Sequence, residues 1–123
     1  MATQQYTVRT VRCDHRSSDE EVYQALRRAT EPLERAWERL GRARRIAVKF
    51  NQDKAREDVV MFAGQRQQLV SDSVMRATLR LLRERTSAEI VCVDVSFYVM
   101  YNGQTLANTC NVAPILREFG VPY

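Results

Sequence analysis

The chain runs through two hydrophobic rhythms. Residues 6–12, YTVRTVR, place apolar or β-branched side chains at every second position, which predicts a strand with one face toward solvent. After CDHRSS the period lengthens. Val22, Leu26, Ala29, Leu33, Trp37 and Leu40 recur at helical spacing and form an amphipathic stripe. Ser18 and Glu21 have capping-box spacing, so the helix is expected to begin there. Pro32 interrupts it. Proline removes one helical hydrogen bond and clashes a turn back, at about 3 kcal/mol, unless the helix bends or restarts. A restart would take Thr30 as its cap, with Pro32 in its first turn. Gly41 is a suitable stop.

A second strand is predicted at 46–50, IAVKF, before a polar stretch at 51–57. Residues 59–62 and 68–70 read as a small hairpin around Gly64. Ser71 gives the next N-cap signal, ahead of a helix with Val74, Ala77, Thr78, Leu81 and Leu82 on one face. Residues 88–95, AEIVCVDV, are almost continuously apolar, the pattern of a strand covered on both faces. An aromatic loop, SFYVMYNGQT, follows, with Asn102 and Gly103 as a turn. A last helix is expected at 111–119, ending at Gly120.

From residue 46 onward, strands alternate with helices. That order implies right-handed β-α-β units, an α/β fold with a largely parallel sheet and flanking helices. The expected architecture is an incomplete Rossmann-like three-layer sandwich in one domain over 1–123. GVPY at 120–123 follows a helix as a new strand would. Two explanations stand: the N-terminal portion of a larger domain, or a short domain with a tail.

Composition narrows the function classes. The 123 residues are 45% hydrophobic and 28% charged, enough for a globular core. No stretch approaches the ~20 apolar residues of a membrane span, and MATQQYTVRT lacks the pattern of a secretion signal. The expectation is therefore no membrane partner and a cytoplasmic location. The net charge is +4, and only Lys49 and Lys54 of the 19 basic residues are lysines. Arginine richness has two sources, phosphate recognition or the codon usage of a GC-rich, bacterial genome, and the second is preferred. Arg27, Arg28, Arg35 and Arg39 lie among Glu31, Glu34 and Glu38, as on a solvated helix face. The tightest basic cluster is Arg42, Arg44 and Arg45, and it has no interleaved aromatics, which argues against a nucleic-acid partner.

Cys13, Cys92 and Cys110 are far apart and contain no C-x-x-C pair, so no zinc or iron–sulfur ligand set is expected, and no cofactor. Cys92, inside IVCVDV, reads as a small buried hydrophobe. One histidine, His15, supports neither a Ser-His-Asp nor a Cys-His set.

Chemistry concentrates at predicted strand ends. In open parallel sheets ligands bind beyond the carboxyl ends of the strands. Lys49 and Asn51 close one strand, and Asp94 and Ser96 close the next. These four are the candidate ligand-binding residues. A mobile cation beside amide, hydroxyl and carboxylate groups suits a small anion, a carboxylate or a phosphate. Donors at the Ser71 helix start lie on the same edge. Each residue also has a structural explanation. Lys49 and Asp94 would tie two strands as a salt bridge, Asn51 would close a turn, Ser71 would cap its helix, and Ser96 would bond within its loop. Tyr98 and Tyr101 would wall a pocket or simply pack. A homo-oligomer is the alternative partner, suggested by Trp37 on the first helix and by an open sheet edge.

The ordered set also resembles the N-terminal part of the domain of unknown function 362 family. The likeness is a strand ending Lys-x-Asn at Lys49 and Asn51, a capped helix at Ser71, a strand ending Asp-x-Ser at Asp94 and Ser96, and a helix ending Glu-x-Gly-Val at 118–121. It covers roughly residues 44–123. Phe50 stands where that family commonly has proline, and the family's glycine-rich loop and cluster cysteines are missing. The resemblance implies a fold and a site, without a reaction.

Overall fold

The computed structural model describes residues 8–52, 54, 56–94 and 111–123. Ser96, Tyr98, Tyr101, Cys110 and the Asn102–Gly103 turn lie outside the described residues. Two helices come first, α1 (Asp19–Thr30) and α2 (Glu34–Gly41). Strand β1 (Arg45–Val48), a short 3-10 turn (Arg56–Asp58), and the two-residue strands β2 (Met61–Phe62) and β3 (Gln65–Arg66) follow. Helix α3 (Asp72–Arg85), strand β4 (Glu89–Cys92) and helix α4 (Ala113–Glu118) complete the order.

Local chemistry sets the helix limits. Ser18 accepts from the Glu21 amide, while the Glu21 carboxylate accepts from the Ser18 amide at 2.7 Å, so the capping box is closed. The helix breaks at Pro32, as expected, but the restart differs. Thr30 turns its hydroxyl back to the Leu26 carbonyl at 2.9 Å, and the N-cap is Leu33 with no side-chain bond. Thr30 still joins the two helices through its own carbonyl, which accepts from Trp37 Nε1 at 2.8 Å.

β1 and β4 are parallel neighbours, with Ile46 opposite Ile90 and Val48 opposite Cys92. The chain is therefore a mixed α/β fold with a small parallel sheet and flanking helices. The core sits on one face of that sheet. Ile46, Phe50, Ile90 and Cys92 meet Met75, Leu79 and Leu82 of α3 and Ile115 and Leu116 of α4. Full burial of a side chain of this size contributes about 1.5–3 kcal/mol. Tyr23 of α1 packs on Ala77 and Leu81, on another side of α3. Helix α3 is thus the central element, clasped between α1 and the sheet.

Three further expectations are corrected. Residues 8–12 form no strand, and Val8 is 87% exposed. Alternation alone makes no strand without an edge to pair with, and none of the described strands pairs here. Second, the hairpin is tighter than 59–62 with 68–70. Ala63 and Gly64 have φ of 48° and 76°, and this two-residue turn sets Phe62 opposite Gln65. Third, the buried face of α3 runs through Met75, Leu79 and Leu82 as well as Ala77 and Leu81, while Val74 is exposed and Thr78 half-exposed.

The strand pattern at 88–95 predicted burial on both faces. Among the described residues the second face remains open. Arg45 and Glu89 pair across it at 2.8 Å, Ala47 is exposed, and Val93 is 46% exposed. At the end of the described chain, the Cys92 amide donates to the Pro122 carbonyl at 2.8 Å, on the side of β4 away from β1.

Candidate functional site

Parallel pairing carries β1 and β4 outward together. The Val93 amide still donates to Val48 at 2.9 Å, so the two chains leave the sheet side by side. Lys49 and Asp94, the next polar residues of each, meet there: Lys49 Nζ lies 3.1 Å from Asp94 Oδ1. The pair is unequal. The Lys49 side chain is 58% exposed and the Asp94 side chain 4%. Asp94 Oδ2 also accepts from the Gln52 amide at 3.2 Å.

Asn51 turns elsewhere. Its Nδ2 donates to the Gln68 carbonyl at 2.9 Å, and its own carbonyl accepts from the Val70 amide at 3.2 Å. It fastens the exit of β1 to the segment entering α3. Gln68 has φ of 65°, and the Asn51 side chain steadies that turn. Ser71 caps α3, accepting from the Val74 amide at 3.4 Å. The structure therefore brings Lys49 and Asp94 together, gives Asn51 to a turn and Ser71 to a cap, and leaves Ser96 outside the described residues.

Gln52 was not among the expected site residues. It is 3% exposed, and its Nε2 donates to the Val70 carbonyl at 3.1 Å. Its Oε1 is buried with no hydrogen-bond partner among the described residues. Through its amide and its side chain it links the Asp94 carboxylate to the start of α3. The sequence carries one signal for it, a polar residue directly after a strand exit, but its burial comes from Val70 and Met75, which are distant in the chain.

Several charges elsewhere on the chain are paired. Arg76 Nε donates to Glu118 at 2.8 Å, and its Nη1 lies 3.4 Å from Asp19. Arg80 donates to Glu20 at 2.6 Å and to Glu84 at 2.9 Å, and its guanidinium stacks 3.6 Å from the Tyr23 ring centre. The hydrogen bond from Tyr23, followed by those from Arg80, holds the Glu84 carboxyl below its ordinary range. Arg66 and Asp72 form a further ion pair. Burial, with Arg76 nearby, pushes the Arg66 pKa down. Trp37 is also engaged within the chain: it is part-buried against both core clusters, and Arg85 lies 4.6 Å from its ring centre.

Among the described residues, no group of three or more His, Cys, Asp or Glu side chains is placed to hold a metal ion. None of their helices is long and apolar enough to cross a membrane. Comparison with protein families, with curated proteins and with solved structures finds no match for the chain.

Proposed function

We propose that the chain is a ligand-binding α/β domain, part of a Rossmann-like sandwich, whose site lies at the carboxyl edge of β1 and β4. Its ligand is a small carboxylate or phosphate. The observation that supports this most is the unequal Lys49–Asp94 pair. A buried carboxylate fixes the ammonium with one contact. The Lys49 side chain is more than half exposed, and among the described residues Asp94 takes one of the three ammonium N–H donors, which leaves two for an anion. Asn51, Ser96 and the capped start of α3 belong to the same proposed edge. The resemblance to the domain of unknown function 362 family, through Lys49, Asn51, Ser71, Asp94 and Ser96, points to the same place. A cytoplasmic location belongs to this reading as well.

The test is calorimetric titration with acetate and inorganic phosphate. Binding should weaken at least about tenfold in Lys49→Ala, a loss of roughly 1.4 kcal/mol, and recover in Lys49→Arg. Equal affinity in wild type and Lys49→Ala, with the fold intact, would sink the proposal.

A second reading, a homo-oligomeric interaction module, is favoured by one observation. Val60, Met61 and Phe62 are 56%, 57% and 74% exposed in a row at the β2–β3 hairpin. Light scattering across concentrations tests it, and a monomer throughout would end it. Binding to nucleic acid through arginine ranks last, because the tightest basic cluster, Arg42, Arg44 and Arg45, has no interleaved aromatics and Arg45 is held by Glu89. It predicts a steep loss of affinity with salt.

A further inference from the structure

We infer that the chain has a second binding site, a cavity between α1, the start of α3 and residues 11–17, which takes a small, uncharged, mainly apolar molecule with a hydrogen-bonding end. It does not depend on the strand-edge reading. The cavity has a volume of about 340 Å³, within the range of small-molecule sites. One side is apolar, built by Val22, Leu26 and Ala29 of α1 and Val74 of α3. The other is polar, built by His15, Ser17 and Ser71.

The polar wall is held in place. The Gln65 side chain donates to the His15 carbonyl at 2.9 Å, and the Ser17 amide donates to the Asp14 carbonyl at 3.1 Å. The carboxylate at this wall, Asp14, is already hydrogen-bonded. The Asp14 carboxylate accepts from the Arg16 amide at 2.8 Å and lies 3.3 Å from His15 Nδ1. Ser73, also at the wall, donates to Asp19 at 2.5 Å. Among the described lining residues a ligand anion would meet no lysine or arginine, and a ligand cation would find only Asp14, an exposed carboxylate whose pairing is worth little, so either would give up hydration for a small return. A hydroxyl or amide end would find hydroxyl and imidazole partners, and an apolar body would find the α1 wall.

The test uses N-phenyl-1-naphthylamine, a neutral fluorophore that brightens in apolar surroundings. Saturable binding of one molecule per chain is expected. Ala29→Phe and Val74→Phe fill the cavity from part-exposed positions, and each should weaken binding about tenfold or more, with circular dichroism confirming the fold. Decanol should displace the probe at concentrations about tenfold lower than decanoate or decylammonium. Absence of saturable binding, or equal binding in both filled variants, would overturn the site. Displacement by decanoate or decylammonium as effective as by decanol would overturn the uncharged ligand.

Discussion

Lys49 and Asp94 are joined at 3.1 Å across the ends of two parallel strands, with the acid buried and the base in water. Their positions follow from the β1–β4 register, which sets Val48 opposite Cys92 and keeps the two strand exits adjacent. The asymmetry decides what each substitution does. Removing Lys49 leaves a buried carboxylate short of a partner. Removing the charge of Asp94 leaves Lys49 on a mostly exposed side chain, where water solvates the ammonium.

Lys49→Met is therefore expected to destabilise the fold by about 2 kcal/mol, and Asp94→Asn by only about 1 kcal/mol, since asparagine still accepts from the Gln52 amide. Urea denaturation of both variants measures the difference. The reverse order would mean that Lys49 does not support Asp94.

Gln52 has one satisfied end and one unsatisfied end. The bond from Nε2 to the Val70 carbonyl stabilises the join to α3, while the buried, unpartnered Oε1 costs about 1–3 kcal/mol. Gln52→Met deletes both and keeps the volume, so its stability should lie within about 1 kcal/mol of wild type. Gln52→Glu sets a carboxylate against the Val70 carbonyl and should lose about 3 kcal/mol or more. Thermal melts of the two variants distinguish them, and similar losses in both would refute this account.

The hairpin turn offers a stabilising substitution. Ala63 holds a φ of 48°, where a Cβ is crowded, next to Gly64 at 76°. Ala63→Gly should raise stability by about 0.5–1 kcal/mol, and Gly64→Ala should lower it by about 1 kcal/mol. Chemical denaturation reads both. A destabilised Ala63→Gly would show that the unfolded chain's added freedom outweighs the relieved crowding.

How much of this was legible in the sequence depended on the range of the interaction. The Ser18–Glu21 box and the break at Pro32 are local, and residue spacing alone shows both. Thr30 does not cap the second helix because its hydroxyl has a nearer partner, the Leu26 carbonyl one turn back. The hairpin is tighter than apolar spacing implies because the two-residue turn at Ala63 and Gly64 pairs Gln65, a choice of backbone dihedrals that the spacing does not encode. Met75 and Leu79 fall outside a single apolar stripe because a stripe describes a helix packed on one side, whereas α3 faces α1 and the sheet. The meeting of Lys49 and Asp94 could be anticipated from strand order. Gln52 and the cavity at residues 11–17 could not, since both come from irregular segments fixed by tertiary bonds.

The helix pair α1–α3 carries a pH dependence with two limbs. Tyr23 donates to Glu84 at 2.5 Å, and Arg80 bridges Glu84 and Glu20. The Glu84 carboxyl is held below its ordinary value of 4.5, first by Tyr23 and then by Arg80. The Glu20 carboxyl is lowered by Gln24 and Arg80, and the Glu118 carboxyl by Arg76. Groups with lowered pKa contribute stability that is present above their unfolded value and lost as pH falls through the folded one. Tyr23 shifts the other way. Its bond to Glu84 raises it above 10.0, so its contribution is lost as the medium becomes alkaline beyond that value. The urea midpoint should hold a plateau at neutral pH, then fall below about pH 4.5 and again above about pH 10. Tyr23→Phe should lower the plateau, make the acid limb shallower and remove this residue's share of the alkaline limb. An acid limb unchanged in Tyr23→Phe would show that the hydroxyl does not hold Glu84 ionised, and the coupling of α1 to α3 would then rest on the Arg80 bridge and on packing alone.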